Sequence, residues 1–139
     1  MKAVILDSDS LGEGVDLSPI KNQVGELVCY PLTSPNQVDE RIQNADVVIT
    51  NKVVLNEASL KKAEKLKLVC VLATGMNNID LKAAEKLGIP VKNVEAYGTP
   101  SVVQHTLMMM LSLATKIPVM QKRMAAGDWQ KSPLFTLLD

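Results

Sequence analysis

The sequence predicts an α/β domain: a doubly wound, parallel, five-stranded sheet followed by a long apolar helix. Three observations carry that prediction: five short β-type runs, helix signals lodged between them, and a tail that is apolar nearly all round. The runs fall at residues 3–6, 26–30, 46–50, 68–72 and 89–94. They are apolar on both parities, the pattern of strands covered on both faces of a parallel sheet.

Each crossover carries its own signals. Residues 8–16 read as a loop before a short helix around residues 19–24. In the second crossover, Ser34-Pro35-Asn36-Gln37 offers an N-cap, a proline at the first helical position and a capping-box glutamine, followed by Val38 and Ile42. Asn56 is placed to cap a helix carrying Ala58, Leu60, Ala63 and Leu66. Asp80 is placed to cap residues 81–87, with Gly88 as the residue that ends them. Strand–helix–strand repeats of this regularity fold as right-handed βαβ units. Five such strands in one domain correspond to a flavodoxin-like sheet.

The tail behaves differently. Thr99-Pro100-Ser101 opens a long helix, with Ser101 and Gln104 spaced as a capping box. Val102, Val103, Leu107, Met108, Met109, Met110, Leu111, Leu113 and Ala114 make it apolar on nearly every side, so it is expected to be buried on several of them. Pro118 interrupts it, Lys122 and Arg123 follow, and Gly127 ends the next segment. Residues 128–139 have no periodicity and read as an arm.

The composition excludes several classes. At 139 residues the chain has one domain's worth of core. A hydrophobic share of 47% against 22% charged is incompatible with disorder. Fifteen basic residues balance fifteen acidic ones, and Tyr30, Tyr97, Trp129 and Phe135 are the only aromatics, so neither a phosphate-binding stripe nor a stacking platform for nucleic acid is present. Cys29 and Cys70 sit in apolar runs and read as buried free thiols of a reducing cytoplasm. The first seven residues are too short an apolar run for a signal peptide, and residues 107–111 fall far short of a membrane span of about 20 residues. One histidine and two separated cysteines do not make a zinc site.

In an open parallel sheet, ligands bind beyond the carboxyl ends of the strands. Those ends carry Asp7, Ser8 and Asp9, then Asn51 and Lys52, then Thr74-Gly75-Met76-Asn77-Asn78, then Glu95, Ala96, Tyr97 and Gly98. Loop 74–78 has two readings: a turn whose N–H groups converge on a small carboxylate or phosphate, or a plain strand-to-helix turn eased by Gly75 and the asparagines. Lys52 either charges that crevice or is merely solvated. Asp7 and Asp9 either hold a metal or form the turn after the first strand. His105 has no acid within a helical turn to orient it and reads as a packed side chain; the run Met108–Met109–Met110 reads as core or interface. Gly12-Glu13-Gly14 lacks the third glycine and following helix of a dinucleotide loop, and no P-loop, nucleophile elbow or HExxH occurs.

The stretch Leu66-Lys67-Leu68-Val69-Cys70-Val71-Leu72-Ala73-Thr74-Gly75-Met76-Asn77-Asn78-Ile79-Asp80 resembles the D-isomer-specific 2-hydroxyacid dehydrogenases. The likeness continues through Ala83-Ala84, Lys86-Leu87-Gly88-Ile89, Val91-Lys92-Asn93-Val94 and Ser101-Val102-Val103-Gln104-His105-Thr106. Leu6-Asp7, Ile49-Thr50-Asn51-Lys52-Val53 and Gly127-Asp128-Trp129 with Ser132 and Phe135 narrow it to the glycerate dehydrogenase (hydroxypyruvate reductase) type, over essentially the whole chain. Asn77 stands where the family usually has Asp, and Gln104 where many members have Glu.

The resemblance implies hydride transfer between a nicotinamide cofactor, NAD(H) or NADP(H), and C2 of a small 2-oxo or 2-hydroxy acid. It places the substrate carboxylate on the amides of Thr74, Gly75 and Met76, with Asn51 and Lys52 lining the cleft, and Thr74 and Val102 on the nicotinamide side. It implies that residues 1–98 are the substrate domain. Residues 99–139 are then a linker helix and arm leading into a Rossmann NAD-binding domain, with dimerisation or self-association through the helix from Val102 to Leu113. The family's glycine motif and its catalytic Arg, Glu and His match nothing in this sequence, and His105 matches a helix position only. The chain alone is therefore expected to be inactive and to bind no cofactor tightly. Two other classes compete. A phosphorelay receiver would use Asp7 and Asp9 but lacks an acceptor aspartate at Thr50-Asn51, and a stand-alone module would use the Met-rich helix as its interface.

Overall fold

A computed structural model describes residues 1–128 and divides into two compact units, one from Met1 to Ala96 and one from Tyr97 onward. The first unit alternates strands and helices: β1 (Lys2–Ile5), α1 (Ser18–Lys21), β2 (Glu26–Cys29), α2 (Val38–Ile42), β3 (Val47–Thr50), α3 (Glu57–Lys62), β4 (Leu68–Val71), α4 (Leu81–Lys86) and β5 (Val91–Asn93). The second holds α5 (Thr99–Ala114) and α6 (Ile117–Ala125).

All five strands are parallel, in the order β2-β1-β3-β4-β5. This is the flavodoxin-like arrangement the sequence predicts. Side-chain alternation sorts the strand residues onto two faces. Val4, Leu6, Val48, Val69 and Val71 pack under α2, α3 and α4 with Val38, Ile42, Leu60, Ala83 and Ala84. Ala3, Ile5, Val47 and Ile49 face the other way, toward Leu17, Ile20, Val24 and Leu27. The helices thus cover both faces, three on one and the single turn of α1 on the other.

Local chemistry sets the helix ends. Ser34 and Gln37 form the expected capping box, the Ser34 N–H donating to Gln37 Oε1 at 3.1 Å, although the first turn is 3₁₀ before α2 begins. Asn56 Oδ1 accepts from the Ser59 N–H at 2.9 Å, and Asp80 Oδ1 from the Ala83 N–H at 3.0 Å. After α4 the Gly88 N–H reaches the Glu85 carbonyl at 3.0 Å and the Ile89 N–H the Ala84 carbonyl at 2.9 Å. With Gly88 at φ +69°, these two bonds make a Schellman motif.

Several expectations fail. β2 lies at an edge of the sheet, so Glu26 and Cys29 are exposed and Leu27 and Val28 only half-buried, not covered on both faces. Cys29 is therefore no buried thiol, and Cys70 is only half-buried. The first crossover contains a 3₁₀ turn at Ser8–Leu11, and its helix is the single turn of α1. α3 stops at Lys62, leaving the buried Ala63 and Leu66 beyond its end.

In the second unit, Gly98 is the N-cap residue of α5 and Pro100 lies in its first turn, so Ser101 is inside the helix rather than capping it. No residue of α5 is buried: Val102 is 64% and Leu113 69% exposed, and His105 and Met108 to Met110 are exposed too. The expected burial is not found, and His105 is exposed rather than a packed side chain. Lys116, left-handed at φ +53°, separates α5 from α6, and Pro118 falls in the first turn of α6. Among the described residues no single helix is long and apolar enough to cross a membrane. α5 and α6 together have the length and composition, but they bend by 64° at their junction. Gly127, at φ +76°, follows α6, and Arg123 pairs with Asp128 at 2.9 Å. Trp129, Ser132, Phe135 and the remainder of the expected arm lie outside the described residues.

Candidate active-site crevice

β1, β3, β4 and β5 are neighbours and parallel, so the loops leaving their carboxyl ends meet on one edge of the sheet. Asp7 follows β1 and is 4% exposed. Both of its carboxylate oxygens accept from the Asn51 N–H at 3.0 Å, and Oδ2 also accepts from the Lys52 N–H at 2.6 Å. Thr50, fully buried, accepts from the Val53 N–H at 3.0 Å through its hydroxyl oxygen. Two side chains therefore hold three consecutive N–H groups of the turn after β3.

The loop after β4 is tied at its other side. Asn93 Nδ2 donates to the Thr74 carbonyl at 2.7 Å, the Thr74 hydroxyl donates to the Val94 carbonyl at 3.2 Å, and the Val94 N–H reaches the Ala73 carbonyl at 3.1 Å. Asn78 Nδ2 donates across to the Val53 carbonyl at 3.0 Å, and the Ile79 N–H closes the turn on the Met76 carbonyl at 3.0 Å. The N–H groups of Thr74, Gly75 and Met76 are given to no acceptor among the described residues. A Cβ at Gly75 would come within 3.3 Å of Asn77 Oδ1, so the exposed Asn77 side chain would have to shift by a few tenths of an ångström to admit one.

Between the two loops lies a crevice of about 310 Å³ lined by Asn51, Lys52, Val54, Ala73, Gly75, Asn77 and Asn78. Of the expected substrate residues it brings together Asn51, Lys52 and Gly75. Thr74 and Met76 flank Gly75 in the same loop without lining the crevice, and Val102 belongs to the other unit. Lys52 is the only charged lining residue. Val54 and Asn93 carry no site signal in the sequence. Val54 sits in the short apolar run Val53-Val54-Leu55, which carries no chemical signal of its own, and Asn93 reads as an ordinary strand end until β5 is known to lie beside β4.

Asp7 does not act as a metal ligand with Asp9: its oxygens are occupied by amides, Asp9 is exposed, and no group of three His, Cys, Asp or Glu gathers among the described residues. Gly12 and Gly14, at φ +83° and +77°, turn the chain between a 3₁₀ turn and the four-residue α1. Such a turn does not fit a dinucleotide pyrophosphate, which needs a glycine-rich loop opening a longer helix.

Residues 4–131 match the model of the D-isomer specific 2-hydroxyacid dehydrogenase catalytic domain. The chain belongs to this family. Among curated 2-hydroxyacid dehydrogenases and their kin, it is 34% identical to the hydroxypyruvate reductase of Blautia hydrogenotrophica over 96% of its own length and 42% of the relative's. It is also 34% identical to the glycerate dehydrogenase of Methylorubrum extorquens, over 99% of its own length and 43% of that protein's. It thus spans less than half the length of these dehydrogenases. A D-lactate dehydrogenase from Aquifex aeolicus, solved with NAD and lactic acid, superposes with a TM-score of 0.74 at 22% identity, over 98% of this chain and 40% of that one. At that identity the likeness is one of fold.

Proposed function

We propose that this chain is the substrate-binding part of an NAD(P)-dependent D-2-hydroxyacid dehydrogenase of the glycerate/hydroxypyruvate type. The observation that carries the reading is the crevice in which Lys52, Asn51 and Gly75 meet beside the free N–H groups of loop 74–76. A 2-oxo or 2-hydroxy acid would place its carboxylate there. The N–H groups of Thr74, Gly75 and Met76 donate to its oxygens, and the Lys52 ammonium balances its charge. Hydrogen bonds to a charged acceptor are worth about 1.5–3 kcal/mol each, enough for two or three to orient a small acid. The Asn51 side chain adds a neutral donor and acceptor at the same wall.

The nicotinamide cofactor, NAD(H) or NADP(H), supplies the hydride when bound, and the family resemblance assigns Thr74 and Val102 to its side. The residues in this chain do not fit its pyrophosphate, so that site belongs to a Rossmann domain in the longer protein, with residues 99–139 as the connection and residues 1–98 as the substrate domain. The chain by itself binds the acid without turning it over. The exposed apolar residues of α5 support homodimerisation between Val102 and Leu113, and the protein works in the cytoplasm on small metabolites.

The test is a titration of the 139-residue chain with hydroxypyruvate, glyoxylate and D-glycerate, followed by amide NMR. The Gly75, Met76, Asn51 and Lys52 resonances should shift together, Lys52→Ala should weaken binding about ten-fold, and NADH should not be oxidised. Shifts confined to other loops, or none at millimolar acid, would overturn the reading.

A further inference from the structure

We propose that Asp7 is a positioning residue for the crevice: it sets where Lys52 and Asn51 stand, and through them the affinity for a carboxylate. The inference rests on reading the crevice as a carboxylate site. The turn after β3 would ordinarily be closed by backbone carbonyls. Instead Asn51 and Lys52 give their N–H groups to the Asp7 carboxylate, at 3.0 Å and 2.6 Å, and Val53 gives its own to the Thr50 hydroxyl. Asp7 follows β1, more than forty residues away in the chain, so the turn is referenced to a different strand from the one that ends in it. The carboxylate is buried, and no ammonium or guanidinium partners it among the described residues. Its charge is stabilised by the turn's N–H groups, and it stabilises the turn in return. Pinning those two N–H groups inward leaves the Asn51 and Lys52 side chains on the crevice wall.

Asp7→Asn separates this role from a merely electrostatic one by sign. Asparagine has nearly the same shape but only one acceptor oxygen, and its NH₂ faces an N–H it cannot satisfy. If Asp7 acted only as a nearby negative charge, removing that charge would tighten binding of an anion. A positioning residue predicts weaker binding. It also predicts that the effect passes through Lys52.

The experiment is a double-mutant cycle on the 139-residue chain, with hydroxypyruvate affinity and amide NMR as readouts. Asp7→Asn should weaken binding about ten-fold in the wild-type background and less than two-fold in Lys52→Ala. In the ligand-free chain it should move the Asn51 and Lys52 amide resonances while leaving those of β4 in place. Tighter binding in Asp7→Asn, or equal losses in both backgrounds, would overturn the proposal. Should Asp7→Asn not fold, a through-hydrogen-bond coupling from the Lys52 nitrogen to the Asp7 carboxyl carbon in the wild-type chain decides the matter: its presence supports the positioning bond and its absence overturns it. If the wild-type chain binds no acid while the coupling is present, the carboxylate-site reading fails and the anchoring of the turn by Asp7 stands.

Discussion

The side-chain amide of Asn78 donates to the carbonyl of Val53 at 3.0 Å, joining the loop after β4 to the turn after β3. The Asn78 carbonyl in turn accepts from the Leu55 N–H at 2.9 Å, and the Asp80 N–H reaches the Leu55 carbonyl at 2.9 Å. Asn78 therefore links both walls of the crevice, and Leu55 carries the connection on to the start of α4. Asn78→Ala leaves the half-buried Val53 carbonyl without its donor, which costs about 1–2 kcal/mol. Urea unfolding should show that loss, and carboxylate binding should weaken with it because only the backbone bond from Leu55 to the residue-78 carbonyl still ties the walls. Unchanged stability and affinity would contradict the bridge.

Gly88 offers a cleaner conformational test. It stands at φ +69°, and a Cβ built on it meets nothing within 4 Å. Gly88→Ala should therefore destabilise the domain by about 1 kcal/mol through backbone strain alone, with no steric contribution. Gly88→Asn should cost less, since asparagine tolerates the left-handed region. Denaturant midpoints of the two variants, compared at equal slope, check the ordering.

The two cysteines should react at different rates. Cys29 is exposed on the edge strand β2, whereas burial pushes the half-buried Cys70 thiol upward from its ordinary pKa. The thiolate is the reactive form, so at neutral pH Cys70 is slow on both counts. A chromogenic disulfide reagent should show one fast and one slow thiol, and Cys29→Ser should remove the fast phase. Two equal phases would place β2 elsewhere in the sheet.

Acid should weaken the fold through a small set of paired carboxylates. Lys62 and Ser59 hold Asp39 below the ordinary aspartate range, and Lys67 with the Lys2 N–H does the same for Asp46. A carboxylate with a depressed folded pKa contributes stability that is fully present above its unfolded value, about 4, and is lost as the pH falls through the folded value. Their contributions should therefore be constant from pH 5 to 8 and disappear below about pH 4. Asp39→Asn with Asp46→Asn should flatten that acid limb. Both carboxylates are at the surface, so added salt should shrink the effect.

Much of the first unit is local in origin and therefore legible residue by residue. The capping interactions of Ser34, Asn56, Asp80 and Gly88 each depend on a few consecutive residues, and each forms where the sequence places it. Loop 74–78 was identifiable for the same reason, because a glycine between a strand and a capped helix is a short-range pattern.

What is shared between distant segments was not legible. Hydrophobicity says that Leu27, Val28 and Cys29 prefer cover, but the order of strands puts β2 at an edge and leaves Cys29 in solvent. It says the same of α5, whose large apolar residues are exposed. Asp7 read equally well as a metal ligand or a turn former, because only the pairing of β1 with β3 brings its carboxylate under Asn51 and Lys52. Periodicity and capping made the αβ alternation evident from the amino acids alone, since those depend on neighbours in the chain. The crevice, its anchoring aspartate and the exposure of the edge and tail were decided only in three dimensions, where parallel pairing sets loops 23 residues apart, such as Lys52 and Gly75, against one another.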